Sequence, residues 1–154
     1  MHSRIFVIND MVDEEELYNN KNDMTIDYID ERDTLDFWDD IARFNDNNKI
    51  MQITDDKDLI VNEARVNDYL MNNYAKISII MQNITDVKSF CKSFWDLKDL
   101  FTPYGETKFY VDGNMYDTLE FLVNWYSINT GGYSDTFDSN YTKMKIVQIF
   151  DYHC

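Results

Sequence analysis

Carboxylates are the side chains whose spacing in this chain first indicates a chemical role. Five aspartates recur at every third residue: Asp27, Asp30, Asp33, Asp36 and Asp39. The surrounding segment, residues 10–46, holds fourteen acidic and three basic residues, a net charge of −11 out of −15 for the whole chain. Like charges so close together repel one another and destabilise a compact fold. A segment of this kind is typical of a surface that binds a strongly basic partner.

Histidine, the usual general base in enzymes, is almost absent. The chain has only His2 and His153, each next to a terminus, where chains are generally mobile. We expect both histidines to be exposed and without a role, and we expect no Ser-His-Asp or Cys-His arrangement. The sequence therefore predicts a protein that is not an enzyme and that uses no cofactor.

One pattern keeps an enzymatic alternative open. Glu106-Thr107-Lys108 begins a predicted strand, and Asp96 and Asp99 precede it. Metal-dependent nucleases of the restriction-enzyme kind hold magnesium with an Asp and with a Glu-x-Lys on a strand. The last 77 residues contain only six Lys and Arg residues, which is few for a protein that must hold DNA. A magnesium-dependent carboxylate enzyme is thus an alternative and not the leading hypothesis.

Cysteine usage indicates a reducing compartment. Cys91 and Cys154 are the only cysteines, too few for a disulfide scaffold. Together with two terminal histidines they do not supply the clustered ligands of a zinc site, so no metal site is predicted. The N-terminus lacks the apolar core of a signal peptide, and no apolar run approaches the roughly 18 to 20 residues of a membrane span. We expect a cytoplasmic protein, located in the host cytoplasm if a phage encodes it.

The hydrophobic pattern predicts the elements that must position the acidic residues. Strands are predicted over residues 4–8, 25–29, 49–53, 76–81, 107–111 and 143–150. Helices are predicted over residues 13–20, 34–44, 59–74, 86–101 and 115–128. This irregular alternation favours a single α+β domain over residues 1–154, with a mostly antiparallel sheet and three or four packed helices. In the helix at 34–44 we expect Phe37, Trp38 and Ile41 to be buried.

Aromatic residues lie between the acidic ones, and we expect two of them, Tyr18 and Tyr28, to be contact residues because tyrosine is enriched at interfaces. The predicted partner-binding residues, an acidic face within residues 10–46, are Asp13, Glu14, Glu15, Glu16, Tyr18, Asp23, Asp27, Tyr28, Asp30, Glu31, Asp33, Asp36, Asp39 and Asp40. The simpler alternative is that this series forms solvated helix faces and caps and serves only solubility.

The net charge of −15 disfavours nucleic acids and anionic membranes as direct partners, because both are polyanions. In composition and charge placement the chain is similar to the small acidic inhibitors of phages and mobile elements, such as anti-restriction and anti-CRISPR proteins. That similarity implies an inhibitor whose acidic surface mimics a nucleic acid and blocks the basic groove of a host defence nuclease or nuclease complex. An immunity protein that neutralises a toxin nuclease is the second interpretation.

Overall fold

The computed structural model describes residues 1–101, 103, 105–131, 141 and 143–154. The helices and strands, in chain order, are β1 (His2–Ile8), α1 (Glu14–Asn19), β2 (Tyr28–Glu31), α2 (Thr34–Asn47), β3 (Met51–Ile53), β4 (Leu59–Val61), α3 (Glu63–Gln82), α4 (Val87–Phe101), β5 (Lys108–Val111), β6 (Asn114–Asp117), α5 (Thr118–Thr130) and β7 (Ile146–His153).

Five strands form one mixed sheet in the order β2-β7-β1-β5-β6, and β3 and β4 form a separate hairpin. β1 and β5 are parallel, and the other neighbouring strands of the sheet are antiparallel. The predicted α+β domain with a mostly antiparallel sheet is therefore confirmed. The described residues contain five helices, one in each of the five predicted regions, and four of them have seven or more residues while α1 has six.

The sheet is covered on both faces, and β1 shows why. Side chains alternate along a strand, so Phe6 and Ile8 face one side while Ile5 and Val7 face the other. The first side packs with Phe44 of α2 and with residues of α5 and the β3–β4 hairpin. The second side packs with α1 and with the segment that leads to β2. Each face thus has its own apolar core.

The strand predicted at Lys76–Met81 is wrong, because these residues are the last part of α3. The β-branched Ile77, Ile79 and Ile80 favoured a strand. In the structure Ile77 and Ile80 continue the i, i+3, i+4 series of partly buried residues that begins at Val66, whereas Ile79 is exposed. Tertiary packing of one helical face therefore overrides the local preference.

Three predicted boundaries and one burial prediction also need correction. Leu59–Val61 pairs with β3 instead of starting a helix, and α3 begins after Asn62, whose side chain caps the Arg65 N–H at 3.1 Å. Residues 115–117, predicted as helix, belong to β6. The strand predicted over residues 25–29 is β2, which begins three residues later than predicted.

Trp38 is 38% exposed although it was expected in the core, since it lies beside the buried stripe of α2 rather than on it.

Within the described residues, no helix combines the length and the apolar character needed to cross a membrane.

Candidate partner-binding surface

Aspartates position the two helices that carry much of the acidic segment. The Asp13 carboxylate accepts a hydrogen bond of 2.8 Å from the Glu16 N–H, and Asp33 accepts one of 2.9 Å from the Asp36 N–H. Both therefore cap helix N-termini, where the helix dipole favours negative charge. The first turn of α1 adds Glu14, Glu15 and Glu16, all exposed. Local helix chemistry thus accounts for part of the acidic series.

β2 lies between these helices and is an edge strand of the sheet. Its Tyr28 and Asp30 are exposed on one face, while Ile29 points into the core on the other. The Glu31 N–H donates a hydrogen bond of 3.2 Å to the Glu14 carboxylate, which joins β2 to the start of α1. Charged residues on an edge strand also prevent it from pairing with another chain.

Tyr28 lies among carboxylates. Desolvation raises the pKa of its hydroxyl, and the carboxylates of Asp30, Asp151 and Glu14 raise it further. Its side chain is 47% exposed, so the ring and hydroxyl are accessible from solvent. The predicted Tyr18 is exposed too, but the Nζ of Lys21 lies 3.6 Å from the centre of its ring, and one ring face is therefore occupied by a cation of the same chain.

Asp40 is the predicted binding residue that the structure removes from the surface. It is 3% exposed, and its Oδ2 accepts hydrogen bonds from Arg4 Nε at 2.8 Å and from Arg32 Nε at 2.9 Å. The prediction of a partner contact at Asp40 is therefore wrong. Asp40 shares the buried face of α2 with Phe37, Ile41 and Phe44, and this i, i+3, i+4, i+7 spacing is visible in the sequence.

Few of the other predicted acidic residues are paired with a basic side chain of the chain. Among the described residues, Asp36 lies 3.6 Å from Arg32, and Asp27 lies 2.8 Å from the Nδ1 of His153. The hydrogen bond to His153 lowers the pKa of the Asp27 carboxyl.

Two further acidic residues accept hydrogen bonds from uncharged groups. Asp23 is half-buried, and burial raises the pKa of its carboxyl, but the hydrogen bonds that it accepts from Thr25 outweigh burial and lower this pKa. Glu31 accepts a hydrogen bond of 2.8 Å from Gln148.

We define the acidic face as the predicted acidic residues that remain exposed or half-buried at the surface. It consists of Asp13, Glu14, Glu15, Glu16, Asp23, Asp27, Asp30, Glu31, Asp33, Asp36 and Asp39. The contacts between Glu14 and Glu31, and between Arg32 and Asp36, link α1, β2 and the start of α2. The acidic face therefore extends around the β2 edge of the sheet, from α1 on one side to α2 on the other. Tyr28 lies within this surface.

The histidines are not the idle terminal residues that the sequence predicts. His2 and His153 are directly opposite each other in the β1–β7 ladder, with ring centres 5.0 Å apart. The Nδ1 of His2 lies 2.8 Å from Asp151, and that of His153 lies 2.8 Å from Asp27. Asp151, which also binds Arg4, is opposite Asp30 on β2. No local pattern signals this cluster, because it depends on strands from the two ends of the chain.

The Glu106-Thr107-Lys108 pattern forms a different cluster from the one a nuclease needs. Lys108 Nζ donates a hydrogen bond of 2.5 Å to Asp117, and both side chains are 2% exposed. Asp96 and Asp99 are instead exposed on α4. Burial and the nearby Asp117 carboxylate raise the pKa of the Glu106 carboxyl, whose Oε2 is a buried oxygen without a hydrogen-bond partner among the described residues.

A cavity of about 450 Å³ lies beside this cluster. Its ionisable lining residues are His2, Arg4, Asp40, Arg43 and Glu106. Arg4 and Asp40 are already bonded to each other there. Across the residues that the structure describes, no group of three or more His, Cys, Asp or Glu side chains is arranged to hold a metal ion.

Comparison with protein-family models, with curated proteins and with solved structures finds no match to this chain. Its function is therefore argued from its own residues.

Proposed function

We propose that this protein is a non-enzymatic inhibitor of a nuclease, and that its acidic face occupies the basic groove in which the nuclease binds DNA or RNA. The target class we favour is a CRISPR effector or a restriction enzyme, which would place the protein in a phage or mobile element. The observation that carries the proposal is the exposure of the acidic face. Of its residues, only Asp36 pairs with an arginine or lysine among the described residues.

Charge spacing supports this proposal. One strand of B-DNA presents a negative charge for about every 3.4 Å of rise, and proteins that bind DNA gain much of their affinity from Lys and Arg side chains at phosphates. β2 rises about 3.3 Å per residue and its side chains alternate between faces, so side chains on one face repeat at about 6.6 Å, close to the spacing of every second phosphate. Asp27, Asp30 and Glu31 lie on or beside this strand, and the first turns of α1 and α2 add carboxylates on either side of it.

Rigidity supports it as well. The capping bonds of Asp13 and Asp33 order the first turns of α1 and α2, and the Arg4–Asp40–Arg32 cluster ties α2 to β1, without using most of the exposed carboxylates. Carboxylates on an ordered backbone lose less conformational entropy when a partner binds than carboxylates on a disordered segment would. Their concentrated charge also accelerates encounter with a basic partner.

The experiment is a cleavage assay with a panel of purified CRISPR effectors, restriction enzymes and toxin nucleases. At least one nuclease should be inhibited, and duplex DNA or guide RNA should compete with the inhibitor. Raising salt from about 50 to about 200 mM should weaken the inhibition, because screening reduces contacts between charged surfaces. Inhibition of toxin nucleases alone would favour the immunity-protein interpretation.

A pair of matched variants locates the effect on the acidic face. The variant Glu15→Lys/Asp30→Lys/Asp39→Lys changes three exposed residues of the acidic face that cap no helix. We expect the concentration needed for half-maximal inhibition to rise about tenfold or more. Asp55→Lys/Asp56→Lys/Asp68→Lys changes the net charge equally at exposed positions outside the face, and it should have little effect. The proposal would be contradicted if both triple variants lost inhibition equally, or if the inhibition were insensitive to salt and to nucleic acid.

A further inference from the structure

α4 is strongly amphipathic, but its apolar side faces away from the protein. Val87, Phe90, Phe94, Trp95 and Phe101 share one side of the helix and are between 41% and 78% exposed. We call these five residues the α4 stripe. The residue of α4 that is buried is Ser93, next to Phe94 in the chain. Since successive helical residues differ by roughly 100°, the side of α4 that contacts the body is rotated well away from its most apolar side.

The attachment of α4 to the rest of the molecule is correspondingly slight. In the described part of the chain, α4 packs against α3, and neither apolar core includes a residue of α4. The aromatic rings of the stripe instead contact one another. The ring centres of Phe90 and Phe94 are 6.5 Å apart, and those of Phe94 and Trp95 are 5.6 Å apart in an edge-to-face arrangement. The stripe is therefore an apolar surface that no other element covers among the described residues.

The exposed area is large enough for a stable contact between two proteins. A fully buried aromatic side chain removes about 150–250 Å² from water, so the four half-exposed aromatics leave on the order of 300–500 Å² accessible. The stripe continues at Phe101 into a groove of about 590 Å³ whose rim includes Tyr74 and Val123, both largely exposed. The stripe alone is comparable with the largest apolar patch of a typical monomer, roughly 300–600 Å², and the rim of the groove extends it toward the roughly 800 Å² that each partner buries in a standard interface.

The charge distribution favours a second copy of this chain as the partner that covers the α4 stripe. The helical hairpin of α3 and α4, residues 63–101, contains five acidic and five basic residues, so its net charge is zero in a chain of −15. Two copies that meet through the hairpin keep their acidic segments out of the interface, whereas most other contacts would bring like charges together.

The flank of the stripe is complementary to itself. Lys88, Lys92, Asp96 and Asp99 are exposed and follow i, i+4, i+8, i+11 spacing, which puts them along one side of α4. When two copies of α4 pack antiparallel about a two-fold axis, this flank of one copy lies beside the same flank of the other. The lysines near the start of one helix then lie next to the aspartates near the end of its partner.

From these observations we propose that the protein forms a two-fold symmetric dimer in which the α4 stripes of two copies pack antiparallel. This dimer does not depend on the function proposed above. It would present two acidic faces, one per protomer, outside the interface.

Analytical ultracentrifugation of the full chain tests the proposal. We expect the wild-type protein to sediment as a dimer of the 18.5 kDa chain at micromolar concentration. Phe94→Asp should convert it to a monomer with an unchanged circular dichroism spectrum, because Phe94 is half-exposed and outside both cores. Ile60→Asp is the matched control, since Ile60 is similarly exposed on β4, and this variant should remain dimeric.

Charge exchange tests the antiparallel arrangement. Lys88→Asp/Lys92→Asp should raise the dimer dissociation constant about tenfold or more, because four attractive contacts become repulsive. Adding Asp96→Lys/Asp99→Lys to the same chain should restore dimerisation, since the complementary pattern is then re-created with its signs reversed. Failure of the fourfold variant to recover would overturn the antiparallel packing.

A wild-type chain that remains monomeric at about 100 µM would overturn the dimer itself. Vesicles of phosphatidylcholine and phosphatidylserine provide the competing outcome. Flotation of a monomeric wild-type protein with these vesicles, lost in Phe94→Asp, would assign the stripe to a lipid surface instead.

Discussion

Asp40 joins three parts of the chain through one carboxylate. It accepts hydrogen bonds from Arg4 on β1 and from Arg32 just after β2, while it sits on the buried face of α2. Burying a carboxylate is unfavourable unless it is paired and hydrogen-bonded, and here both conditions hold. Asp40 is thus part of the scaffold that holds the acidic face rather than part of the face.

Replacing Asp40 should therefore destabilise the protein far more than replacing its neighbour. Asp40→Asn leaves two half-buried arginines without their shared anion, and we expect the free energy of unfolding to fall by about 2–4 kcal/mol. Asp39→Asn removes the same charge at an exposed position and should change it by less than about 0.5 kcal/mol. Urea denaturation measures both values, and similar effects of the two substitutions would contradict this account.

Glu106 should give the protein a measurable pH dependence. Burial raises the pKa of its carboxyl above the ordinary value of 4.5, so the folded state binds this proton more tightly than the unfolded state does. The contribution to stability is complete below pH 4.5 and is lost as pH rises through the raised pKa of the folded state. Glu106→Gln cannot ionise, and it should therefore be more stable than the wild type at pH 7 and similar to it at about pH 4.

Denaturation midpoints at the two pH values check the Glu106 prediction. Glu15→Gln, at an exposed position, serves as the control, and its stability relative to the wild type should not differ between the two pH values. A Glu106→Gln variant that is less stable than the wild type at pH 7 would show that the charged form of Glu106 has a favourable partner.

At the scale of the elements, α2 shows how an acidic residue can serve the fold and remain exposed. Asp33 caps its N-terminus through the Asp36 N–H, and the helix then buries Phe37, Ile41 and Phe44 against the sheet. A cap of this kind contributes typically about 1 kcal/mol. The regular aspartate spacing therefore has a structural cause at this position in addition to any role in binding.

Substitution of the cap should separate these two contributions. Asp33→Ala should lower the free energy of unfolding by about 1 kcal/mol relative to Asp39→Ala, which removes an equal charge from the same helix without removing a cap. Thermal denaturation followed by circular dichroism gives the comparison. Equal stability of the two variants would mean that the 2.9 Å bond of Asp33 to the Asp36 N–H contributes nothing in solution.

α4 shows the limit of periodicity as a guide to burial. Its apolar spacing correctly predicts a helix over residues 86–101, because helix formation depends on residues that are close in the chain. The same spacing does not indicate whether the apolar side is buried, and Phe90, Phe94 and Trp95 are all at least half exposed. An amphipathic pattern identifies an apolar helix face whose burial would be favourable. It does not indicate whether the residues that bury this face belong to the same chain.

At the scale of the whole molecule, charge and apolar surface are separated. The acidic residues concentrate in α1, β2 and α2, whereas the electrically neutral hairpin of α3 and α4 carries the largest exposed aromatic groups. Such a separation allows one surface to meet a basic partner while another meets an apolar one. The two proposals therefore concern different surfaces, and each can fail without the other.

The sequence by itself determined the properties that depend on composition and on residues a few positions apart. These are the α+β class, the acidic segment at 10–46 and the helices α1, α2 and α4. Helical periodicity and capping act over one or two turns, so the printed order of residues contains the information needed to identify them.

Only the tertiary structure decided which distant residues meet. It buried Asp40 between Arg4 and Arg32 and placed His2 opposite His153, because β1 and β7 pair across the whole length of the chain. It also turned the α4 stripe outward. Each of these outcomes depends on how elements far apart in sequence pack together, and the spacing within a single element does not specify that packing.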